Sequence, residues 1–501
     1  MDTITCILLF LFTFTFLHKL HSLLFKTTNT NNHHNKLPPG PLGIPIFGNL
    51  LQLGQKPHQT MANLANIHGP IMSLKLGQIT TIVMSSPHTA KWVLQTNDQF
   101  MSNRKIPDAM KGANHDQYSI PFMSVSPRWR ELRKICTGLL FSNKNLDASK
   151  ELRAKKIQQL FNEIYEYSLK GEAVDVGRLA FKTTINLLSN TVYSQDLIES
   201  LSKAGEFKEL VANIMKEVGR PNLADCFPLL KIVDPHGIRR RTGNYFRKLL
   251  NIFKGLVKER VKLREESGYC SRNDMLDSLL NNAEENGQQM YKDKIERLSL
   301  DLFVGGTDTI TSTVEWAMAE LLRNPKIMSK AKSELKESIG NGNLIEESDI
   351  IKLPYLQAII KETFRFHPAV PLLLPRIAEV DIEMNNYIVP KGAQILINVW
   401  AIGRDPNLWD NPNLFSPERF LGSEIDVKGT NFELTPFGAG RRICPGMPLA
   451  MRMLLLMLGL LINSFDWKLE DGFEADHIDM DEKFGITLEK AQPLRVIPIK
   501  V

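Results

Sequence analysis

The sequence predicts a mainly α-helical fold with small β-sheets. Three observations predict it. Apolar residues at helical spacing run through most of the chain from Pro87 onward, β-patterns are few and short, and no repeat or composition break divides the chain after residue 40. The first β-patterns cover residues 71–76 and 80–84, the second rich in β-branched residues, with a Gly-Gln turn between them. Helical periodicity then predicts residues 87–95, 127–140, 146–167, 176–192, 206–217, 239–266, 273–281 and 292–322. Strand signals return over residues 381–388 and 394–400. A helix rich in Leu, Met and Ala is expected over residues 447–461, with Pro445 and Gly446 at its first turn.

With 501 residues and 43% apolar composition, the chain can bury a large core, and it is long enough for several domains or one large one. Lys and Arg number 61 against 55 Asp and Glu, a formal charge of +6. The run Arg239 to Arg241 fits a solvated helix face or a membrane-surface contact, so no nucleic-acid partner is expected. The five cysteines, Cys6, Cys136, Cys226, Cys270 and Cys444, show no C-x-x-C spacing, which excludes an obvious zinc or disulfide framework and suits a reducing compartment. The pair His33-His34 lacks a third ligand nearby and reads as linker.

Three segments are expected. Residues 1–26 form an N-terminal membrane anchor, residues 27–41 a polar linker and proline-rich hinge, and residues 42–501 the catalytic domain. A helix from Ile4 to Phe25 reaches roughly 33 Å, about one hydrocarbon thickness. Lys19 has to snorkel, or the span stops near Leu17. A cleaved signal peptide is the rival and implies a mature N-terminus near residue 30; Asp2 and the bulky residues after it supply neither a positive n-region nor a small-residue cleavage site. Lys19, Lys26 and Lys36 put the bulk of the chain on the cytosolic side, as a single-pass protein of the endoplasmic reticulum membrane. Leu37-Pro38-Pro39-Gly40-Pro41 is stiff and extended.

The chemistry centres on Phe437-Gly438-Ala439-Gly440-Arg441-Arg442-Ile443-Cys444-Pro445-Gly446. Glycine lets backbone turn tightly or approach a flat ligand. Cys444 precedes a helix and follows two arginines, a setting that favours a thiolate, and a thiolate in a rigid loop is a good axial ligand for haem iron. The alternative is a buried structural cysteine. The pattern Phe-x-x-Gly-x-Arg-x-Cys-x-Gly is complete at Phe437, Gly440, Arg442, Cys444 and Gly446. At these residues the chain resembles the cytochrome P-450 superfamily, which implies that superfamily's fold, with haem b held between a long central helix and the cysteine-loop helix.

Three further motifs occur in the superfamily's order. Trp129 and Arg133, spaced i,i+4 on an amphipathic helix, can donate to one carboxylate, though W-x-x-x-R alone usually marks a surface helix. By resemblance they grip haem propionates, with Arg376 and Arg442 as further partners. Gly305-Gly306-Thr307-Asp308-Thr309 lies inside a long helix, where each glycine costs about 1 kcal/mol relative to alanine. A helix opened beside a flat cofactor accounts for them, with Thr309 bonding back to the Gly305 carbonyl; a softened core helix is the plainer reading. The stretch resembles the family's oxygen-activation motif, which makes Asp308 and Thr309 the catalytic acid–alcohol pair. Ile310 stands where that motif has Thr or Ser, so an altered pocket or packing is expected there. Glu362 and Arg365, with Arg419 of Pro417-Glu418-Arg419-Phe420, resemble the family's structural Glu-Arg-Arg triad.

The resemblance runs from about Pro38 to the C-terminus and is to the plant microsomal type, nearest the geraniol 8-hydroxylase and ferruginol synthase subgroup. The stretches that carry this are Asn398-Val399-Trp400-Ala401-Ile402-Gly403-Arg404-Asp405-Pro406, Leu353-Pro354-Tyr355-Leu356-Gln357-Ala358 and Asp481-Glu482-Lys483-Phe484-Gly485. It implies a monooxygenase that takes O2 and electrons from NADPH-cytochrome P-450 reductase, docked near Arg130, Lys134 and Arg441, and hydroxylates a small hydrophobic metabolite, a terpenoid first. Rivals are a phenolic substrate such as tyrosine and a non-catalytic haem-binding protein. Ile120, Phe122, Leu302, Phe303, Val370, Leu372, Leu373, Leu374 and Ile486 are expected to line the substrate pocket, with His115 and Asp116 as candidates to orient a substrate hydroxyl.

Overall fold

The computed structural model describes residues 37–199, 201–266, 268–272, 274–285, 291–470 and 474–501, together with residues 7, 10–16 and 19. Of the expected anchor, only those last residues are described; they are helical, and Phe10, Phe12 and Phe16 are exposed. The rest of the anchor, and the linker up to residue 36, lie outside the described residues. Among the described residues, Met447–Ser464 is long and apolar enough to span a bilayer, but it is 72% buried and is a core helix.

The central helix is Tyr291–Arg323, which packs against Val176–Tyr193, Ile238–Glu265, Pro354–Phe366 and Met447–Ser464. It ends at Arg323 because Pro325 disfavours helical backbone at Asn324, which sits at φ −122° and ψ 75°. Its C-terminal half is enclosed on every side, with Trp316, Met318 and Leu321 fully buried and the buried carboxylates Glu315 and Glu320 bonded to Leu494 N and His367. Pro127–Ile135 starts at a capped turn in which the Ser126 hydroxyl accepts from the Trp129 N–H at 3.2 Å. That helix widens into a π turn at Cys136–Leu140.

Four strands form one sheet in the order Ile71–Leu76, Ile79–Met84, Gln394–Ile397, Arg376–Ile377. The middle pair is parallel, Thr81 facing Gln394, and Arg376 pairs antiparallel with Ile395. A second sheet joins Val174–Asp175, Arg495–Lys500 and Phe465–Leu469.

Two sequence expectations change. Residues 381–388 form a hairpin, Ile382–Met384 with Tyr387–Val389, because Asn385 and Asn386 both take positive φ (52° and 63°), which asparagine tolerates best among non-glycine residues. The strand from Gln394 stops at Ile397, since the Asn398 side chain accepts from Ala401 N at 3.0 Å and starts a helical turn. The mainly helical class with small sheets stands.

Candidate active site

The cysteine loop is shaped by its glycines. Gly438 and Gly440 take φ of +66° and +68°, and a Cβ on Gly440 would sit 2.0 Å from the Leu94 carbonyl oxygen, so no other residue fits there. The Cys444 N–H donates to the Phe437 carbonyl at 2.9 Å and closes the loop. Phe437 packs edge-on against Phe364, with centroids 5.3 Å apart, which ties the loop to Pro354–Phe366. Gly446 is the N-cap of Met447–Ser464, and Pro448 rather than Pro445 is the proline in its first turn.

Cys444 is half-buried. Burial pushes its thiol up, while the N–H groups of Gly446 and Met447 and the Arg133 charge pull the other way and lose. The helix start alone therefore does not yield the expected thiolate; a bound metal cation deprotonates such a sulfur outright. The arginine facing the sulfur is Arg133. Arg441 is exposed and pairs with Asp98 at 3.4 Å. Arg442 turns inward, donating to the carbonyls of Ser102 (2.9 Å), Ile120 (3.0 Å) and Met123 (2.6 Å).

Around this loop the chain buries more positive charge than it neutralises. Arg442 lies 4.5 Å over the Trp129 ring, and the Trp129 indole N–H donates to the Ile120 carbonyl at 3.1 Å. Arg376 bonds Asp98 (3.2 Å) and the Met101 carbonyl (3.1 Å). Arg104, not foreseen from the sequence, bridges backbone to Arg376 and donates to the carbonyls of Pro121 (3.0 Å) and Leu374 (2.7 Å). Burial, then the Arg376 charge, push the Arg442 guanidinium down to about 10; burial, then the Arg376 and Arg442 charges, push Arg104 well below its ordinary value. Asp98 is the one carboxylate that bonds this group, and among the described residues Arg133 forms no ion pair. Buried cations need anionic partners, so a flat ligand with two carboxylates fits this cradle.

The opposite wall is the central helix. It stays unbroken at Gly305-Gly306, contrary to the opened helix expected, but Thr309 donates to the Gly305 carbonyl at 2.9 Å as anticipated. A Cβ on Gly305 would meet nothing within 4 Å, whereas one on Gly306 would press Leu188 at 3.1 Å. The open side of Gly305 is thus the cavity face, and Gly306 serves packing. Asp308, one residue before Thr309, points to a different face; it is 2% exposed and turned toward Thr487 and Glu489. Ile310 packs in the main core, so the departure at that position alters packing.

His115, a candidate to orient a substrate hydroxyl, is buried and bonded within the protein. Its Nε2 bonds Asp301 Oδ1 at 2.9 Å and its ring packs on Phe246. Asp301 also accepts from Ser119 Oγ (2.9 Å) and Ile120 N (2.7 Å), so one carboxylate of the central helix holds the whole 115–120 loop. Ile120 in turn offers its carbonyl to Trp129 and Arg442. Asp301→Asn puts an amide NH2 against one of these donors; it is expected to cost about 1–3 kcal/mol and to weaken the substrate-induced Soret shift, measured by thermal unfolding and spectral titration. Of the expected lining residues, Phe303 packs at a tilt against Phe253, centroids 4.9 Å apart, inside the helix bundle, and Leu372 and Leu373 pack into the sheet cores; Ile120, Phe122, Leu302, Leu374 and Ile486 belong to the main core around the site.

A family model described as Cytochrome P450 matches residues 38–494. The chain belongs to the cytochrome P450 family. The chain is 52% identical over 499 residues to geraniol 8-hydroxylase of Catharanthus roseus, covering 99% of each protein. It is 49% identical to drimenol monooxygenase of Persicaria hydropiper, covering 93% of each, and 48% identical to geranylhydroquinone 3''-hydroxylase of Arnebia euchroma, covering 96% of the chain and 97% of that protein. A cytochrome P450 carries haem with an axial cysteine thiolate and is a monooxygenase, and the excess of buried arginines beside Cys444 suits the two propionates of haem b. The family resemblance expected from about Pro38 agrees with the start of the matched region.

Proposed function

We propose that this cytochrome P450 hydroxylates a small terpenoid, with Cys444 as the iron ligand and Asp308 and Thr309 managing protons. Bound haem supplies the oxygen activation, and the thiolate's electron donation favours O–O cleavage. Arg133 and Trp129 would hold the cofactor beside the cysteine loop, and Arg104, Arg376 and Arg442 would counter its negative charge. Thr309 presents its hydroxyl at the open face beside Gly305, and Asp308 holds a proton behind it. The single observation that carries this reading is that the Cys444 sulfur stands beside Arg133, which forms no ion pair among the described residues, while the cysteine-loop helix packs against the central helix that bears Thr309.

Geraniol, drimenol and geranylhydroquinone, named in the relatives, are apolar molecules that carry hydroxyl groups, which matches an apolar cavity with few polar groups. Electrons come from NADPH-cytochrome P450 reductase, which docks on the exposed Arg130, Lys134 and Arg441. The apolar N-terminal segment, residues 1–26, anchors the domain of residues 42–501 in the endoplasmic reticulum membrane, with 27–41 as the hinge. The test reconstitutes the full chain with the reductase and offers monoterpene alcohols, abietane-type diterpenes, and tyrosine as the phenolic comparison. Oxygenated product with the terpenoids and none with tyrosine is expected; product with tyrosine alone overturns the substrate class, and NADPH oxidation without any product overturns catalysis.

A further inference from the structure

We propose that Glu489 is the group through which solvent protons reach Asp308, with the Thr487 hydroxyl between them. The inference rests on the monooxygenase reading and deepens it. Reducing dioxygen to water consumes protons that cannot come from an apolar cavity, and Asp308, 2% exposed, has no direct contact with solvent.

The groups that face Asp308 are few. Thr487 and Glu489 come from the hairpin that pairs Glu482–Lys483 with Glu489–Lys490, and Lys208 from Leu201–Gly219. Thr487 sits in the bend between these strands and Glu489 opens the second strand, and both face Asp308. That segment is pinned to the central helix, because the Leu488 carbonyl accepts from Ser312 Oγ (2.7 Å) and Trp316 Nε1 (3.3 Å), and Leu488 N donates to the Ala369 carbonyl at 2.8 Å. Farther along the helix, Glu315 is buried and its carboxylate accepts from Leu494 N at 2.8 Å. Lys208 is beside Glu315, since a Cβ on Gly177 would meet Lys208 Nζ at 2.7 Å and Glu315 Oε2 at 2.9 Å. Glu315 is closed off in this way, and Lys208, though partly exposed, brings a positive charge rather than a carboxyl to Asp308.

Glu489 opens a way out. Its side chain is 21% exposed and pairs with Lys483 at 3.2 Å at the surface, so the same carboxyl looks inward to Asp308 and outward to water. Asp308 Oδ2 and Thr487 Oγ1 are both buried with no hydrogen-bond partner among the described residues, and so is Thr311 Oγ1 on the same helix. Buried polar atoms are rarely left so, and these cluster where a proton has to cross. Burial, followed by the Glu489 charge, pushes Asp308 up to about 7, where a carboxyl both takes and gives a proton at neutral pH.

The transfer balances without a redox change. The Glu489 carboxyl gives its proton to the Thr487 oxygen as the Thr487 hydroxyl hydrogen passes to the Asp308 carboxylate. Glu489 then takes a proton from water, and Asp308 hands its own to the cavity face at Thr309.

The test compares Glu489→Gln, Glu489→Asp and Thr487→Val in the reconstituted holoenzyme, with Asp308→Asn and Lys483→Met as controls. Glu489→Gln is expected to slow product formation about tenfold or more, to enlarge the solvent isotope effect and to raise peroxide release, with KM and the thiolate-type Soret band unchanged. Glu489→Asp restores most of the rate, and Lys483→Met keeps it whole. In the ferric enzyme the infrared C=O band that disappears in Asp308→Asn should titrate with a lower midpoint in Glu489→Gln, because a neighbouring negative charge is gone. An unchanged rate and isotope effect in Glu489→Gln, with Asp308→Asn slow, overturns this route alone. An unchanged rate in Asp308→Asn overturns the acid–alcohol reading beneath it. A Glu489→Gln loss that parallels loss of the Soret band marks the residue as structural and also overturns the route.

Discussion

Replacing Glu362 by alanine is expected to cost about 3–5 kcal/mol, the range for removing one partner of a buried ion pair. Both Glu362 oxygens grip Arg365 at 2.7 Å, Oε1 also accepts from Ser416 N at 2.7 Å, and Arg419 Nε donates from 3.2 Å. Glu362 and Arg365 have fully buried side chains. Without the carboxylate, Arg365 keeps its bonds to the carbonyls of Gly403, Pro412 and Leu414 but carries an uncompensated charge in a dry interior. The damage reaches the cysteine loop, because Phe364 on the same helix braces Phe437. Expression of Glu362→Ala should yield protein with little thiolate-type Soret absorbance and a collapsed unfolding midpoint. Glu362→Gln keeps the shape and one acceptor and is expected to be milder; equal stability of Glu362→Ala and the parent would contradict the ion-pair account. A Cβ at Gly403 would stand 2.3 Å from the Arg365 carbonyl, so Gly403→Ala should disturb the same junction from the other side.

This junction was legible as Glu362, Arg365 and Arg419 because two short stretches, Glu-x-x-Arg and Pro417-Glu418-Arg419-Phe420, together match the family's pattern, although Arg419 lies 57 residues from Glu362. Cys444, Thr309 and Arg133 were legible for a similar reason: each needs specific neighbours in sequence, a glycine loop, a glycine pair, a tryptophan one turn away. The misses share a different cause. Arg104 has no local pattern, and its role follows from a backbone bridge to Arg376 far along the chain. His115 looked free for a substrate because its partner, Asp301, lies on another element. Arg441 and Arg442 stood next to the cysteine in sequence, yet the sharp turn at Gly440 sends one to the surface and the other onto carbonyls of the 102–123 segment. Adjacency in sequence says little about side-chain direction across a positive-φ turn. The single strand expected over 381–388 failed for want of weighing two asparagines in succession as a turn.

Cys444→Ser is expected to abolish monooxygenation and to remove the thiolate-type Soret band of the reduced carbon-monoxide complex. A serine hydroxyl is a far weaker ligand than a thiolate at neutral pH, and it supplies none of the electron donation that favours O–O cleavage. The substitution is nearly isosteric, and the loop does not depend on the sulfur for its shape: Gly438 and Gly440 set the turn, and the residue-444 N–H closes it on the Phe437 carbonyl. The fold therefore remains, with an unfolding midpoint close to that of the parent measured without haem. Arg133→Ala separates ligand from cradle. It leaves the sulfur in place but removes the cation that faces it and the cofactor edge, so haem occupancy falls while the protein that retains haem keeps its thiolate spectrum. Loss of the spectrum in Arg133→Ala together with its survival in Cys444→Ser would reverse the assignment of the ligand. The combination of a silent Cys444→Ser fold and an absent thiolate signal is what a cysteine held for chemistry, rather than for packing, produces.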